Sequence, residues 1–275
     1  MTRQHKIGIL QGRLTPSAGR GIQFFPNDNE WPNEFKTAKE IGFDCIELLV
    51  KANGYKNNPL LNKDSLSRIE DLKNRYGIET PSIHGFYSKE KWYPAVLTEM
   101  IHVAKLVGAN TILVSFFNEN SLLIDTDKQK VQEQLRKPLE VAKEFGVSIA
   151  IETEILAPEL KLFVESFQSQ AMGIYYDLGN MASMNVSLAK EIKLLKHLIK
   201  GVHIKDRRKN GGESVLLGNG DTDFKEAFDA LESIGYNGPY VLQGARHPSE
   251  NDVNLNKKYL NFVKDKLTLN TKNYA

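Results

Sequence analysis

Residues 41–48 read Ile41-Gly42-Phe43-Asp44-Cys45-Ile46-Glu47-Leu48, and the architecture unfolds from this junction. A helical pattern runs into it, because Phe35, Ala38 and Ile41 recur at three-residue spacing. Gly42 then supplies the left-handed backbone that satisfies the last carbonyls of a helix. A short β-rich run begins at Cys45. The same punctuation returns at Gly77 (YGIE), Gly108 (VGAN), Gly146 (FGVS) and Gly235 (IGYN), each marking a passage from helix to strand.

Read outward from these junctions, β-rich runs fall at residues 7–10, 45–49, 80–83, 111–116, 147–151, 173–176, 201–204 and 240–242. Helical periodicity fills residues 34–41, 65–76, 93–107, 128–145, 188–199 and 224–234, with Asp64 or Ser65 as the expected N-cap of the second. Alternating strands and helices imply a parallel sheet with right-handed crossovers. Eight such units predict an α/β fold, a single (β/α)8 TIM barrel occupying residues 1–275 as one domain. The length of 275 residues suits a barrel of roughly 250. An open doubly wound sheet fits less well, because Gln11-Gly12-Arg13 after the first strand lacks the glycine-rich phosphate turn.

Composition narrows the function class. Thirty-six Lys and Arg against 34 Asp and Glu leave a net charge of +2, which gives no strong field for nucleic acid or an anionic membrane. No apolar run approaches the roughly 18 residues of a membrane span, and residues 1–6 do not resemble a secretory signal. The lone Cys45 cannot form an intramolecular disulfide and reads as core packing, so a soluble protein of the reducing cytoplasm is expected. Small-molecule chemistry is the class that remains.

In a parallel barrel the loops after the strands build the active face. The residues there are Gln11 and Arg13, Glu47, His84, Ser115, Glu152, Asp177, His203 with Lys205 and Asp206, and Gln243. Glu47 alone could be a salt-bridged strand end and His84 a structural histidine. Glu152 is different, since Ile149, Ala150 and Ile151 before it read as buried strand and a buried carboxylate needs a partner or a metal. Asp177 and His203 repeat that situation on the next two strands. Two carboxylates and an imidazole suit Mn²⁺, Mg²⁺, Co²⁺ or Zn²⁺. Such an ion stabilises an enediolate, and a nearby carboxylate can move the proton.

The blocks IGFDCIEL, IAIET at residues 149–153, YYDLGN at 175–180, HIKD at 203–206 and LGNGDTDF at 217–224 stand in an order and spacing similar to one known group. The chain resembles the xylose-isomerase-like TIM-barrel superfamily of sugar and sugar-phosphate isomerases and epimerases, above all its ketose 3-epimerase and ribulose/xylulose-5-phosphate 3-epimerase branches. The resemblance implies that Glu152, Asp177 and His203 are metal ligands and that Glu152 doubles as acid/base. It places Glu47 and His84 on the substrate pocket. Asn180 stands where some members carry a substrate-contacting histidine. Lys205 shares a strand face with His203 and is the expected catalytic or substrate contact.

Gln243 departs from the pattern, because the resemblance implies a glutamate there as fourth ligand and second base. An amide can still offer its carbonyl oxygen to a metal, but it cannot carry a proton. The expected chemistry is therefore a metal-dependent isomerase or epimerase acting on a small-molecule sugar or sugar phosphate. A dehydratase or lyase on a sugar-like or cyclitol ketone and a non-catalytic sugar-binding descendant are the alternatives. For a phosphate, Arg207 with Arg208 and Lys209, the backbone amides of Gly218-Asn219-Gly220, and Arg246 are the expected contacts. Trp31, Trp92 and Tyr93 are expected at the surface, lining a pocket or a contact in a homo-oligomer. A DNA-repair relative with a multi-zinc cluster is disfavoured, because His5, His102 and His197 fall at the terminus or in helices.

Overall fold

A computed structural model describes residues 5–271 of the chain. Its strands are β1 (Ile7–Leu10), β2 (Cys45–Leu49), β3 (Ser82–His84), β4 (Thr111–Phe116), β5 (Ser148–Thr153), β6 (Met172–Asp177), β7 (Ile199–Ile204), the short β8 (Asp206–Arg207) and β9 (Ser214–Val215), and β10 (Tyr240–Leu242). Strands β1 to β7 and β10 close into a barrel in which every neighbour is parallel, β10 pairing with both β7 and β1. The antiparallel pair β8/β9 is a small hairpin in the connection between β7 and β10.

The helices are α1 (Trp31–Ile41), α2 (Lys63–Tyr76), α3 (Tyr93–Val107), α4 (Asp125–Phe145), α5 (Ala157–Glu165), α6 (Leu178–Ser183), α7 (Leu188–Leu195), α8 (Phe224–Ser233) and α9 (Asp252–Thr271). All five junction glycines have positive φ, from 60° at Gly77 to 100° at Gly42. Three helices, α5, α6 and α9, lie where no periodic pattern was expected. The cap of α2 also differs from expectation: Asn62, two or three residues before the expected Asp64 or Ser65, accepts from the backbone N–H of both. Helix α7 stops short at Leu195, where Lys196 (φ 43°) opens a 3₁₀ turn over Lys196–Leu198, and β7 starts at Ile199, two residues before the expected strand start.

The two-residue period of a strand decides what faces where. Ile149 and Ile151 of β5, Ile174 and Tyr176 of β6, Val202 and Ile204 of β7 and Ile46 and Leu48 of β2 belong to the main core between sheet and helices. Their alternates pack apart from it, as Leu113 with Ala150 and Tyr175, and as Leu10 with Leu49 and Val241. That second set lines the barrel interior. Glu152 continues the Ala150 face, Asp177 the Tyr175 face, Gln243 the Val241 face, and His203 and Glu47 alternate with core residues in the same way. One rule thus carries the polar residues of different strands into a common space above the interior plugs.

Trp31 and Tyr93 are 1% and 0% exposed, against the expectation of surface aromatics. They open helices α1 and α3, and their rings turn under the first turn into the helix–sheet core. Only Trp92 stays half open, at 40% exposure. Among the described residues, no helix is long and apolar enough to cross a membrane. Cys45 is buried, as its strand position predicts.

Candidate active site

Register brings the principal residues level. Asp177 pairs with His203 across β6/β7, and Val241, two residues before Gln243, pairs with His203 across β7/β10. One potential ligand atom each from Glu152, Asp177 and His203 lie within 4.8 Å of one another. His203 Nδ1 is 3.5 Å from Glu152 Oε1. All three residues are buried, as is Gln243.

Three of the four expected ligands carry an atom without a hydrogen bond. Asp177 Oδ2, His203 Nδ1 and Gln243 Oε1 are buried without a hydrogen-bond partner. Buried polar atoms are nearly always satisfied, so three such atoms at the ends of β6, β7 and β10 form a donor set, in which Asp177 Oδ2 faces only Lys205 Nζ at 3.3 Å. Oxygen donors with one imidazole nitrogen fit a hard or borderline divalent cation. The other oxygen of Asp177 is engaged: Oδ1 caps α6 by accepting from Asn180 N–H at 2.8 Å.

A second triad, Glu47, His84 and His203, is equally close. It does not fit a cation, because Glu47 already accepts from three donors. Ser82 Oγ donates at 2.6 Å, Tyr175 Oη donates to the same oxygen, and the imidazole Nε2 of His203 lies 2.7 Å from the other. Glu47 is 0% exposed. It is packed against His203 and His84 at the base of the cluster.

Electrostatics follow from this burial. Burial alone would raise the Glu47 carboxyl, but the charge and hydrogen bond of His203 hold it well below the usual carboxylate range. For His203 burial opposes the charged form, yet Glu47 and Glu152 together push its pKa up to about 10. Glu152 is lowered, burial being outweighed by His203 and Lys205. Asp177 is raised by burial and by the like charge of Glu152, against the pull of Lys205.

Around this centre, Asn180 is a hub. Its amide nitrogen donates to Glu152 Oε1 at 3.3 Å, and its oxygen accepts from Lys205 Nζ at 3.4 Å and Arg207 Nη1 at 3.1 Å. Lys205 also lies 3.3 Å from Asp177 Oδ2. His84 stacks on His203, with ring centroids 5.6 Å apart. Its Nε2 is 3.4 Å from Nε2 of Gln23, whose Oε1 in turn accepts from Gln243 at 3.4 Å. Gln23 went unread in the sequence. It sits in the irregular loop 11–30, where no period marks a residue as inward.

Two expected anion contacts are committed elsewhere. The amides of Gly218, Gly220 and Thr222 donate to the carboxylate of Asp206, so the chain supplies its own anion to that loop. Arg246 donates to the carbonyls of Gly12, Thr15 and Ile22 and pairs with Asp252. Arg207 also spends donors on the carbonyls of Gly211 and Gly212. Arg13 is buried and donates to Gly244 O at 3.1 Å, burial lowering its pKa to about 10. Gln11 accepts from Leu49 N–H and is structural. A cleft of about 750 Å³ opens at the other end of the barrel around Lys6, Glu79, Lys196 and Lys200, away from every triad named above.

With the fold and this geometry in place, sequence comparison is decisive. Residues 35–264 match the model of the xylose isomerase-like TIM barrel. The chain belongs to the xylose isomerase-like TIM barrel family. The L-ribulose-5-phosphate 3-epimerase UlaE of Shigella flexneri is 23% identical over 88% of this chain and 88% of its own. The crystal structure of D-psicose 3-epimerase with D-tagatose from Clostridium cellulolyticum superposes with TM-score 0.77 at 16% identity, covering 95% of this chain and 99% of that one. The crystal structure of the IolI protein with a bound zinc atom gives TM-score 0.74 at 16% identity, covering 95% and 99%. The chain is thus a sugar isomerase- and epimerase-like member of that family.

Proposed function

We propose that this protein is a divalent-metal-dependent isomerase or epimerase acting by proton transfer beside the carbonyl of a ketose or ketose phosphate. The observation that carries the reading is the buried cluster of Glu152, Asp177 and His203, one ligand atom of each within 4.8 Å of the others, with Asp177 Oδ2, His203 Nδ1 and, at the end of β10, Gln243 Oε1 lacking a hydrogen bond. Glu152, Asp177, His203 and Gln243 would hold Mn²⁺, Mg²⁺, Co²⁺ or Zn²⁺. The similarity to the L-ribulose-5-phosphate 3-epimerase UlaE and to the zinc-bound IolI protein supports both halves of the proposal, the sugar and the metal. When bound, the cation supplies a Lewis acid that polarises the carbonyl and offsets the charge left by the departing proton.

Glu152 is the group that moves the proton. It is kept ionised by His203 and Lys205, and Asn180 holds Oε1 in place. Lys205, beside Asp177 and Asn180, is placed to steady negative charge on the substrate or to contact a hydroxyl. His84 at the end of β3 and Gln23 in the loop after β1 offer hydrogen bonds to sugar hydroxyls. Asn180 and Arg207 extend that polar wall. Gln243 cannot take a proton, which favours withdrawal and return by Glu152 on one face. One-face transfer moves a carbonyl between neighbouring carbons more readily than it inverts a centre.

The test is solvent-proton exchange in heavy water across a panel of ketoses and ketose phosphates, with each metal in turn. Metal-loaded wild type should incorporate deuterium at the carbon beside the carbonyl of at least one sugar. Glu152→Gln should lose it by roughly 10²-fold or more. Undiminished exchange in Glu152→Gln would remove Glu152 from this role.

A further inference from the structure

Glu47 has no part in the reaction just proposed, yet it is a fully buried carboxylate with three hydrogen-bond partners next to the site. Its neighbours reach it from three other strands: Ser82 of β3, Tyr175 of β6 and His203 of β7. The last two lie 128 and 156 positions away in sequence. Burying a carboxylate in a barrel interior costs several kcal/mol unless it is paired and fully hydrogen-bonded. The chain meets that cost with three donors aimed at one group.

The direction of these bonds carries information. A carboxylate among donors can only accept, so the hydrogen between Glu47 Oε1 and His203 belongs to Nε2. The remaining ring nitrogen, Nδ1, faces Glu152 Oε1 at 3.5 Å and is buried without a hydrogen-bond partner. We infer that Glu47 is a positioning residue that, steadied by Ser82 and Tyr175, fixes the ring and tautomer of His203 so that Nδ1 is the metal-binding atom. The inference rests on the metal reading above and adds to it which nitrogen binds and what holds it there. Metal-ligating histidines commonly give their second N–H to a carboxylate, and loss of such a partner costs about 10- to 100-fold in affinity.

Zinc is the probe, because it is diamagnetic and suits imidazole. In calorimetry on the full chain, Glu47→Gln should bind zinc about 10- to 100-fold more weakly than wild type. Tyr175→Phe, which removes one donor to Glu47, should fall between the two. In nitrogen-15 spectra of the zinc-loaded wild type, His203 should carry its proton on Nε2 with Nδ1 coordinated. Wild-type affinity in a folded Glu47→Gln, or coordination through Nε2, would overturn the inference while leaving the metal site standing. Absence of zinc binding by wild type would instead overturn the metal reading and this inference with it. Should Glu47→Gln fail to fold, the wild-type spectrum and Tyr175→Phe decide the question.

Discussion

Arg246 Nη1 and Asp252 Oδ1 lie 2.8 Å apart, and from that anchor the same guanidinium reaches the carbonyls of Gly12, Thr15 and Ile22. A pair at the start of α9 therefore clamps the loop between β1 and α1. Phe24 of that loop lies under the guanidinium, 5.0 Å from its ring centroid. Gly12 is obligatory there: φ is 89°, and a Cβ would stand 2.3 Å from Phe24 O. The clamp holds Gln23 between Gln243 and His84.

Arg246→Ala should lower stability on the order of 2 kcal/mol, since Asp252 and three carbonyls lose their donor. It should raise KM while leaving metal affinity within about twofold, because no proposed ligand is touched. Thermal unfolding and metal titration of the same preparation check both. An unchanged melting temperature with raised KM would instead make Arg246 a direct substrate contact.

Asp206→Ala should uncouple the loop at residues 217–222. Three backbone N–H groups lose their acceptor, so a loss on the order of 3 kcal/mol is expected in denaturant unfolding. If the loop served a substrate phosphate, phosphate would stabilise the wild type as well; with Asp206 occupying the amides, no such stabilisation of the wild type is expected.

Glu34 gives a pH signature. It is buried and accepts from Gly12, Leu14 and Thr15, but burial outweighs these bonds and pushes its pKa from 4.5 up to about 7. The protonated form is thus favoured in the folded state. Its contribution is fully present below about pH 4.5 and is lost as pH rises through about 7, a change of about 3 kcal/mol at most. Glu34→Gln should flatten that part of the stability–pH curve. A curve of the same slope in the variant assigns the dependence to another group.

Gln243→Glu puts a carboxylate in the proposed fourth ligand position. Metal affinity should rise about tenfold or more, and product analysis should reveal inversion beside the carbonyl that wild type performs weakly or not at all. Unchanged affinity and products would place residue 243 outside the centre.

The sequence disclosed the barrel because its signals are local. Junction glycines such as Gly42 and two-residue alternation in Ile149-Ala150-Ile151-Glu152 depend on neighbours only. The same alternation, applied to each strand, gathers Glu152, Asp177 and His203. Helix α6 is too short to show a period, α5 carries one in Ala157, Leu160, Phe163 and Val164 that went unread in the sequence, and the apolar stripe of α9 is diluted by charged residues. What stayed hidden was pairing at long range. Nothing near residue 47 announces Tyr175 or His203, and nothing near residue 218 announces that Asp206 takes the loop amides. Arg246 looked free for a ligand because its three carbonyl acceptors lie more than 200 positions earlier.

The central claim is a single metal held by these strand ends, and an anomalous-difference map from a manganese-loaded crystal tests it most directly. The account predicts one strong peak, about 2.0–2.4 Å from a carboxylate oxygen of Glu152, Asp177 Oδ2, His203 Nδ1 and Gln243 Oε1. No peak there, or a peak held instead between Glu47 and His84, would contradict it.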